Sequence, residues 1–138
     1  MAARTFLDTN VLVYAHDASA PAKQRTSRAI IQSLAESVDG VTSTQVMQEF
    51  YVAATKKLGV DPLAAKGILK TFGVFEIVQV SPALIQEAID CSILNQLSFW
   101  DALILASAAS AGCSVVLSED LNAGQVVLGV TVKNPFAR

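Results

Sequence analysis

The apolar residues of this chain fall into short runs that alternate with longer segments of helical spacing. The runs are RTFLD, VTS, FEIVQV, SVVLS and VTVK, and their length is typical of buried strands. Segments such as AKQRTSRAIIQSLAES place their large apolar residues on one face of a helix. Short strands separated by helices predict a parallel sheet that is covered on both faces. We therefore expect an α/β fold, a three-layer α/β/α sandwich with a short-stranded parallel central sheet.

The boundaries of the helices are marked by capping residues and glycines. Ser, Thr and Asp side chains accept hydrogen bonds from the first N–H groups of a helix, and proline is favoured directly after them. Lys56 and Lys57 suit a helix C-terminus, where the dipole favours cations. The segment EDLNAGQVVLG predicts a loop with a short turn before the last strand. The predicted caps are Ser43 or Thr44, Asp61, Ser81 and Ser98, and the predicted helix stops are Gly40, Gly59, Gly73 and Gly112.

Length and composition suit a single domain that spans residues 1–138. Apolar residues make up 52% of the chain and the mean hydropathy is +0.46, which indicates a large buried core. Charged residues are only 16%, and the formal net charge is -2. A protein that holds nucleic acid by its overall charge is usually basic. This chain therefore needs a local basic patch or metal ions to hold a polyanion.

Cysteine usage and hydropathy favour a cytoplasmic protein without a membrane segment. Cys91 and Cys113 are the only cysteines, so reduced thiols are expected. The N-terminus does not resemble a signal peptide, because Asp8 interrupts its apolar stretch. The uncharged segment 102–118 contains Gly112 and is shorter than the roughly 20 apolar residues that span a bilayer. We expect it to form a buried helix followed by a buried strand.

Four acidic residues fall where predicted strands end or predicted helices begin. Asp8 ends the first strand and Asp120 follows the strand SVVLS, whereas Glu49 and Asp101 lie in early helical turns. Ligands of open parallel sheets bind outside the carboxyl ends of the strands. We therefore expect the four carboxylates to meet at one edge of the sheet.

Each acid also has a purely structural interpretation. Asp8 suits the N-cap of the helix that follows it. Asp101 stands three residues after Ser98, as in a capping box. Glu49 suits the solvated face of a helix, and Asp120 suits an exposed loop. These alternatives stay open for each residue taken alone.

The four acids taken together favour a metal site. Clustered carboxylates raise each other's pKa, and cations relieve that repulsion. Mg²⁺ and Mn²⁺ prefer carboxylate oxygens, and such ions can activate water and stabilise a leaving oxygen on a phosphodiester. The sheet fixes the backbone of an aspartate at the end of a buried strand, and this fixes the direction of its carboxylate. That role explains why Asp8 lies within the apolar segment TFLDTNVLVYA.

Four segments, in this order, resemble the motifs of the PIN-domain ribonucleases, and specifically of the VapC-like toxins of prokaryotic toxin–antitoxin pairs. The segments are FLDTNVLVYA, STQVMQEF, SFWDALILASA and VLSEDLNAGQ followed by VKNPF. The resemblance covers nearly the whole chain. It implies a PIN-like fold and the metal-dependent cleavage of RNA phosphodiester bonds by an endoribonuclease.

The resemblance also implies a set of site residues and partners. The expected partners are an RNA substrate, a cognate antitoxin protein and a second copy of the chain in a homodimer. The helices predicted over 44–58 and 62–72 are the expected dimer surfaces. The acids would hold one or two Mg²⁺ or Mn²⁺ ions with support from small polar residues. The catalytic and metal-binding candidates are Asp8, Glu49, Asp101 and Asp120, and the supporting candidates are Thr9, Asn10 and Ser118.

Several other residues have two interpretations each. His16 is either a general base or a loop residue beside Asp17, and the loop role is favoured because metal-bound water needs no such base. Trp100 either stacks on a nucleic-acid base or packs, and packing is favoured. A basic cluster on the second predicted helix either contacts RNA phosphates or forms a solvated face. The cluster consists of Lys23, Arg25 and Arg28.

Two non-catalytic functions stand as alternatives to the nuclease. A receiver-type signalling domain also carries acids and Mg²⁺ at the strand ends of a doubly wound sheet. It needs adjacent acids after its first strand, whereas this chain offers Asp8 alone. A PIN-like domain that binds RNA without cutting it has no need of four mutually repelling acids. The endoribonuclease is therefore the favoured function.

Overall fold

The computed structural model describes residues 3–137 and contains a six-stranded sheet and six α-helices. The strands are β1 (Thr5–Leu7), β2 (Gly40–Ser43), β3 (Glu76–Val78), β4 (Val115–Leu117), β5 (Val126–Val127) and β6 (Val130–Lys133). The helices are α1 (Thr9–Tyr14), α2 (Pro21–Ser37), α3 (Thr44–Lys56), α4 (Pro62–Thr71), α5 (Pro82–Asn95) and α6 (Phe99–Ser110). A 3₁₀ turn over Phe72–Val74 follows α4.

The sheet has the strand order β3-β2-β1-β4-β6-β5. Every neighbouring pair is parallel except β5 and β6. In the register of the central strand, Phe6 lies opposite Val41 on one side and Val116 on the other. Because β1 has neighbours on both sides, the residue that follows it leaves the sheet at its centre.

Both faces of the sheet are covered. Successive side chains of a strand point to opposite faces, and Phe6 and Leu7 are both fully buried. The same holds for Val41 and Thr42 in β2. Helix α6 packs against β2, β4 and β6, while α2 and α3 pack against β2. The predicted α/β fold is confirmed, and the central sheet that was predicted to be parallel is parallel except at the β5–β6 pair.

The helices begin at the predicted caps. The side chains of Ser43, Asp61, Ser81 and Ser98 each accept a hydrogen bond from a backbone N–H group in the first turn of the next helix. The uncertainty between Ser43 and Thr44 is resolved in favour of Ser43. These boundaries depend on local hydrogen bonds, which explains why the sequence predicts them well.

One predicted helix stop is wrong. Helix α2 ends at Ser37 and is capped by Val38, which adopts a left-handed conformation with φ 61°, and Gly40 is the first residue of β2. A Cβ atom on Gly40 would lie 2.5 Å from Cδ1 of Phe75, so glycine is needed there for close packing rather than for ending a helix. A β-branched residue in the left-handed region is unusual, which explains why Val38 gave no signal.

The predicted loop before the last strand is also wrong in part. Residues Val126–Val127 form β5 and pair antiparallel with β6. The two residues between the strands, Leu128 and Gly129, have φ values of 54° and 76°. Two-residue hairpin turns of this kind usually carry Asn-Gly or Asp-Gly. The Leu-Gly sequence at this turn therefore does not predict a hairpin. Strand β3 is shorter than the predicted run FEIVQV.

None of the helices within residues 3–137 is long and apolar enough to cross a membrane.

Candidate functional site

The site is organised around Asp8, which directly follows the central strand β1. Its N–H donates to the Leu117 carbonyl at 3.1 Å, so the backbone of Asp8 still belongs to the sheet edge. Its Oδ1 accepts from the Thr9 N–H at 2.7 Å and caps α1. The capping interpretation is therefore correct for one carboxylate oxygen, and the other oxygen takes no part in the cap.

That second oxygen, Oδ2 of Asp8, faces a cluster of neutral donors. The Ser118 hydroxyl donates to it at 2.7 Å and the Asn10 amide lies 3.5 Å away. The same Asn10 Nδ2 group lies 3.2 Å from Oδ2 of Asp120 and 3.3 Å from Oγ of Ser118. The amide thus carries its partial positive charge to the space between two carboxylates.

Glu49 reaches the same region from α3. Its side chain is exposed, and its Oε1 accepts from the Thr9 hydroxyl at 2.7 Å. Its Oε2 lies 3.5 Å from Nε2 of Gln45, one turn earlier on α3. The fixed Thr9 side chain therefore orients a glutamate that would otherwise be an ordinary solvated helix residue.

Asp101 enters from the first turn of α6. Its N–H donates to Oγ of Ser98 at 3.1 Å, which is half of a capping box. The Ser98 N–H does not donate in return to the Asp101 carboxylate, which has no hydrogen-bond partner within residues 3–137. The cap is supplied by Ser98 alone, so the carboxylate of Asp101 is available to the cleft.

The four carboxylates line a single open cleft of about 980 Å³ between α1, α3 and the N-terminus of α6. Thr9 and Asn10 line it as well, while the buried Ser118 supports it from behind through Asp8. The structure therefore brings together acids that lie far apart in the sequence: Thr9, which follows Asp8, bonds Glu49 from 40 residues away.

The electrostatic state of Asp8 differs from that of an ordinary surface acid. Burial raises the pKa of Asp8 from 3.8 to about 6, and the nearby charges of Glu49 and Asp120 add to the rise. Hydrogen bonds from Ser118 and Thr9 work in the opposite direction. Within residues 3–137 none of the four acids forms an ion pair with Lys or Arg. The negative charge of the cluster is balanced only by neutral dipoles.

This donor set fits a hard divalent cation in its chemistry. All the candidate ligands are carboxylate oxygens, which Mg²⁺ and Mn²⁺ prefer. As the side chains stand, however, no three acidic, histidine or cysteine groups in the described part of the chain converge closely enough to hold a metal ion. Glu49 is exposed and Asp101 is half-buried on a helix surface.

Glu119 is separated from the cluster although it adjoins Asp120. It accepts from the Tyr14 hydroxyl at 2.7 Å and from Nζ of Lys23 at 2.6 Å. Burial opposes its charge, but the hydrogen bonds from Lys23 and Tyr14 hold the pKa of Glu119 below its usual range. Its N–H donates to Oδ1 of Asn10 at 3.0 Å. Glu119 and Asp120 both line the cleft, but Glu119 is paired with Lys23, whereas Asp120 shares the Asn10 amide with Asp8.

The other candidates divide into those near the cleft and those away from it. His16 is exposed, lies edge-on to Phe50 at 5.8 Å between ring centroids, and does not line the cleft. Arg28 donates to the Ala15 carbonyl at 2.8 Å, so it braces the loop after α1. Trp100 does line the cleft and is 62% exposed, so the expectation that it packs is wrong for most of its surface.

Two residues of the site were missed in the sequence. Gln45 is buried, lies beside Glu49, and its Nε2 is 3.4 Å from the Trp100 carbonyl. Its position four residues before Glu49, on the same helical face, was the available signal. Tyr14 lies on α1 beside the cleft and holds Glu119. Its partner is 105 residues away, so no local pattern indicates the contact.

Comparison with known proteins identifies the family of this fold. The PIN-domain family model matches residues 5–127. No curated protein sequence matches the chain. A toxin–antitoxin complex from Klebsiella pneumoniae is similar at 18% identity and a TM-score of 0.71, over 96% of this chain and 98% of the other. The DNA-bound VapBC of Salmonella typhimurium is similar at 17% identity and a TM-score of 0.69, over 97% and 99%. The sarcin-ricin loop cleaving toxin VapC20 of Mycobacterium tuberculosis is similar at 20% identity and a TM-score of 0.66, over 84% and 91%.

Proposed function

The chain belongs to the PIN-domain family, and we propose that it is a metal-dependent endoribonuclease and the toxin of a toxin–antitoxin pair. The family consists of nucleases, which are hydrolases. The family match lends no support to the receiver-type alternative. Between cutting RNA and merely binding it, the arrangement of the acids favours cutting.

The observation that carries this proposal is the environment of Asp8. Asp8 is buried beside Glu49 and Asp120, and no Lys or Arg within residues 3–137 forms an ion pair with it. Such an arrangement costs stability unless a cation binds it in the working protein. A domain that only binds RNA gains nothing from repelling phosphates at the centre of its cleft.

In the proposed reaction the residues of the chain act as ligands and supports. Asp8, Glu49, Asp101 and Asp120 would hold one or two Mg²⁺ or Mn²⁺ ions. A bound ion of this kind supplies an activated water and stabilises the leaving oxygen of the phosphodiester. Thr9 holds Glu49, while Asn10 and Ser118 hold the carboxylates of Asp8 and Asp120. The open cleft leaves room for an RNA strand to reach the acids.

The choice of RNA as substrate and of a toxin role rests on the similar structures. One of them is a toxin that cleaves the sarcin-ricin loop, and two others are toxin–antitoxin assemblies. Their identity to this chain is at or below 20%, so the likeness establishes the fold, and the role of this chain is our proposal.

The direct test is cleavage by purified, metal-free protein. We expect RNA to be cut after addition of Mg²⁺ or Mn²⁺ and to stay intact in a chelator. Glu119→Gln is a suitable control variant because it changes an acid of the same loop that is already paired with Lys23. Full activity of metal-free protein in a chelator would refute metal dependence, and binding without cleavage would favour the non-catalytic alternative.

A cognate antitoxin is proposed to neutralise the site with a basic side chain. An Arg or Lys placed near Asp8, Glu49, Asp101 and Asp120 would pair with the acids and compete with the metal. Inhibition should then weaken as the Mg²⁺ or Mn²⁺ concentration rises. Titration of antitoxin against cleavage at several metal concentrations tests this, and an inhibition constant that is independent of metal would show that the partner acts elsewhere.

A homodimer is also proposed, with α3 and α4 as its contact surface. These helices expose apolar side chains at Tyr51, Val52 and Leu63. Helix α5 exposes a competing apolar surface at Ile93 and Leu94, which are 70% and 81% exposed. Light scattering of Leu63→Asp and Leu94→Asp distinguishes the two surfaces, because only the variant at the true interface should become monomeric. A wild-type protein that is monomeric throughout would exclude the dimer.

A further inference from the structure

Gln45 is a buried amide in the wall of the acidic cleft. It lies in the first turn of α3, one turn before Glu49, and only 5% of its surface is exposed. Glutamine is mostly found at protein surfaces, because its amide has two donor hydrogens and an acceptor oxygen to satisfy. A buried glutamine beside a proposed metal ligand therefore needs an explanation other than packing.

The amide nitrogen of Gln45 lies between two acceptors on different helices. Its Nε2 is 3.5 Å from Oε2 of Glu49 on α3 and 3.4 Å from the carbonyl oxygen of Trp100 on α6. The second contact is the one hydrogen bond between α3 and α6 within residues 3–137. Trp100 directly precedes Asp101. The amide thus connects Glu49 with the helical turn that carries Asp101.

The amide oxygen of Gln45 is buried, and it accepts no hydrogen bond in the part of the chain that the structure describes. Exchanging the oxygen and the nitrogen of the amide would not help. Oε1 would then face Oε2 of Glu49 and the Trp100 carbonyl oxygen, which are both acceptors. A buried acceptor without a donor lowers the stability of the fold. Both Nε2 contacts are at the long limit of a hydrogen bond, so they add little stability in return.

An apolar residue at position 45 would serve the fold better than glutamine does. Methionine is of similar length and helix propensity, and it has no amide to satisfy. Residues that break such a rule at a buried position are typical of functional sites. Gln48 provides the contrast, because it lines the same cleft from α3 but is exposed.

The acid that Gln45 contacts depends on hydrogen bonds for its orientation. Glu49 is exposed, so packing does not fix the direction of its carboxylate. The Thr9 hydroxyl donates to Oε1 of Glu49 at 2.7 Å, and Gln45 is the neighbour of Oε2. A donor at each carboxylate oxygen restricts the rotation of a long side chain that would otherwise sample many rotamers.

We propose that Gln45 is a positioning residue of the acidic site. Its amide ties the carboxylate of Glu49 to the first turn of α6, and this fixes Glu49 relative to Asp101 for metal binding. In this role Gln45 acts through Glu49 and contacts neither the metal ion nor the RNA. The inference rests on the proposed nuclease function and adds a residue that the four acids depend on.

The first experiment measures Mn²⁺ affinity in two matched variants. Gln45→Met removes the buried amide, and Gln48→Met makes the same change at the exposed position of the same helix. In isothermal titration, Gln45→Met should bind Mn²⁺ about 10-fold more weakly than the wild type, as is usual when a residue that orients a metal ligand is lost. Gln48→Met should bind Mn²⁺ like the wild type. Equal affinities of Gln45→Met and the wild type would overturn the proposal.

A double-mutant cycle separates positioning from a general loosening of the fold. If Gln45 acts through Glu49, the change Gln45→Met should have no further effect on Mn²⁺ affinity in Glu49→Gln protein. The melting temperature of metal-free Gln45→Met should be equal to that of the wild type or higher, because the unpaired amide oxygen is gone. The same loss of affinity in both backgrounds would assign Gln45 to the fold alone and overturn the proposal.

Cleavage provides a third measurement. The Mn²⁺ concentration that gives half of the maximal rate should rise about 10-fold in Gln45→Met, in parallel with its affinity. The rate at saturating metal and the KM for RNA should stay near the wild-type values. A raised KM for RNA at saturating metal would show that Gln45 contacts the substrate, which contradicts a positioning role.

Failure of this inference is distinguishable from failure of the nuclease function. If the wild type binds Mn²⁺ and cuts RNA, and Gln45→Met does both equally well, the function stands and the positioning role is wrong. If the wild type binds Mn²⁺ but cuts no RNA, the proposed function is wrong, and the Mn²⁺ titrations still decide the role of Gln45. A wild type that binds no Mn²⁺ overturns both.

Discussion

Glu119 and Asp120 are neighbours in the chain, but their carboxylates lie in opposite electrostatic surroundings. Glu119 is paired with Lys23 at 2.6 Å and with the Tyr14 hydroxyl, and its pKa lies below the usual range. Asp120 belongs to the cluster around Asp8, where burial and neighbouring acids raise the pKa of Asp8 and no Lys or Arg within residues 3–137 pairs with an acid. Acidity at a strand end therefore does not by itself mark a functional residue. What distinguishes Asp120 is that it shares one cleft with other acids around the buried carboxylate of Asp8.

Of the variants that distinguish the acids around Asp8 from Glu119, Asp101→Asn should have the largest effect on cleavage. Asp101→Asn removes a proposed metal ligand whose carboxylate serves no cap, so cleavage should fall by more than about 100-fold, beyond the loss typical of supporting residues. The free energy of unfolding should hardly change. The matched control Ser98→Ala removes the actual cap and should cost about 1 kcal/mol of stability. A large drop in melting temperature for Asp101→Asn would instead assign it a structural role.

The stability of metal-free protein should fall as pH rises through the titration of Asp8. The folded-state pKa of about 6 is above the ordinary value of 3.8, so the folded protein holds a proton that the unfolded chain releases. Stability from this group is complete below pH 3.8 and is lost towards pH 6, by up to about 3 kcal/mol.

The Asp8→Asn variant should not lose folding stability over this pH range. Denaturant unfolding of wild type and variant in a chelator, at several pH values, measures the difference between them. Parallel pH profiles would contradict the raised pKa, and added Mg²⁺ should selectively stabilise the wild type at neutral pH.

A smaller effect on metal binding is expected at Asn10, which contacts both the acids around Asp8 and the backbone of Glu119. Its amide lies between Asp8 and Asp120, and its Oδ1 accepts from the Glu119 N–H. Asn10→Ala should weaken Mn²⁺ binding about 10- to 100-fold, as is usual for residues that orient metal ligands. Isothermal titration with Mn²⁺ checks this directly. Unchanged affinity together with lost activity would place Asn10 against the substrate instead.

The smallest effect on catalysis is expected for Glu119→Gln. The change removes a charge that Lys23 already neutralises and keeps a side chain that can accept from Tyr14. Cleavage should stay near the wild-type rate, and the melting temperature should fall slightly and in a salt-dependent way. Kinetics and melting curves at low and high salt test it. A loss of activity comparable to that of Asp101→Asn would remove the distinction between the two acids.

Helix starts and the chemistry of the acids could be predicted from the sequence because both depend on short-range rules. Ser81 and Ser98 cap the first turn of their helices, and these bonds span only three residues. Asp8 was recognisable because an aspartate interrupts a strand that is otherwise apolar. The β5–β6 hairpin was missed because Leu128 occupies a turn position that usually takes Asn or Asp.

Sequence alone therefore determined the α/β class, most of the helix boundaries and the four acids proposed for the site. Only the tertiary structure decided how these acids are surrounded. It placed Thr9 against Glu49, left Trp100 exposed in the cleft, and paired Glu119 with Lys23, 96 residues away. The physical reason is range. A cap or a strand depends on neighbours in the chain, whereas the partner of a charge depends on which distant elements the sheet brings to the same edge.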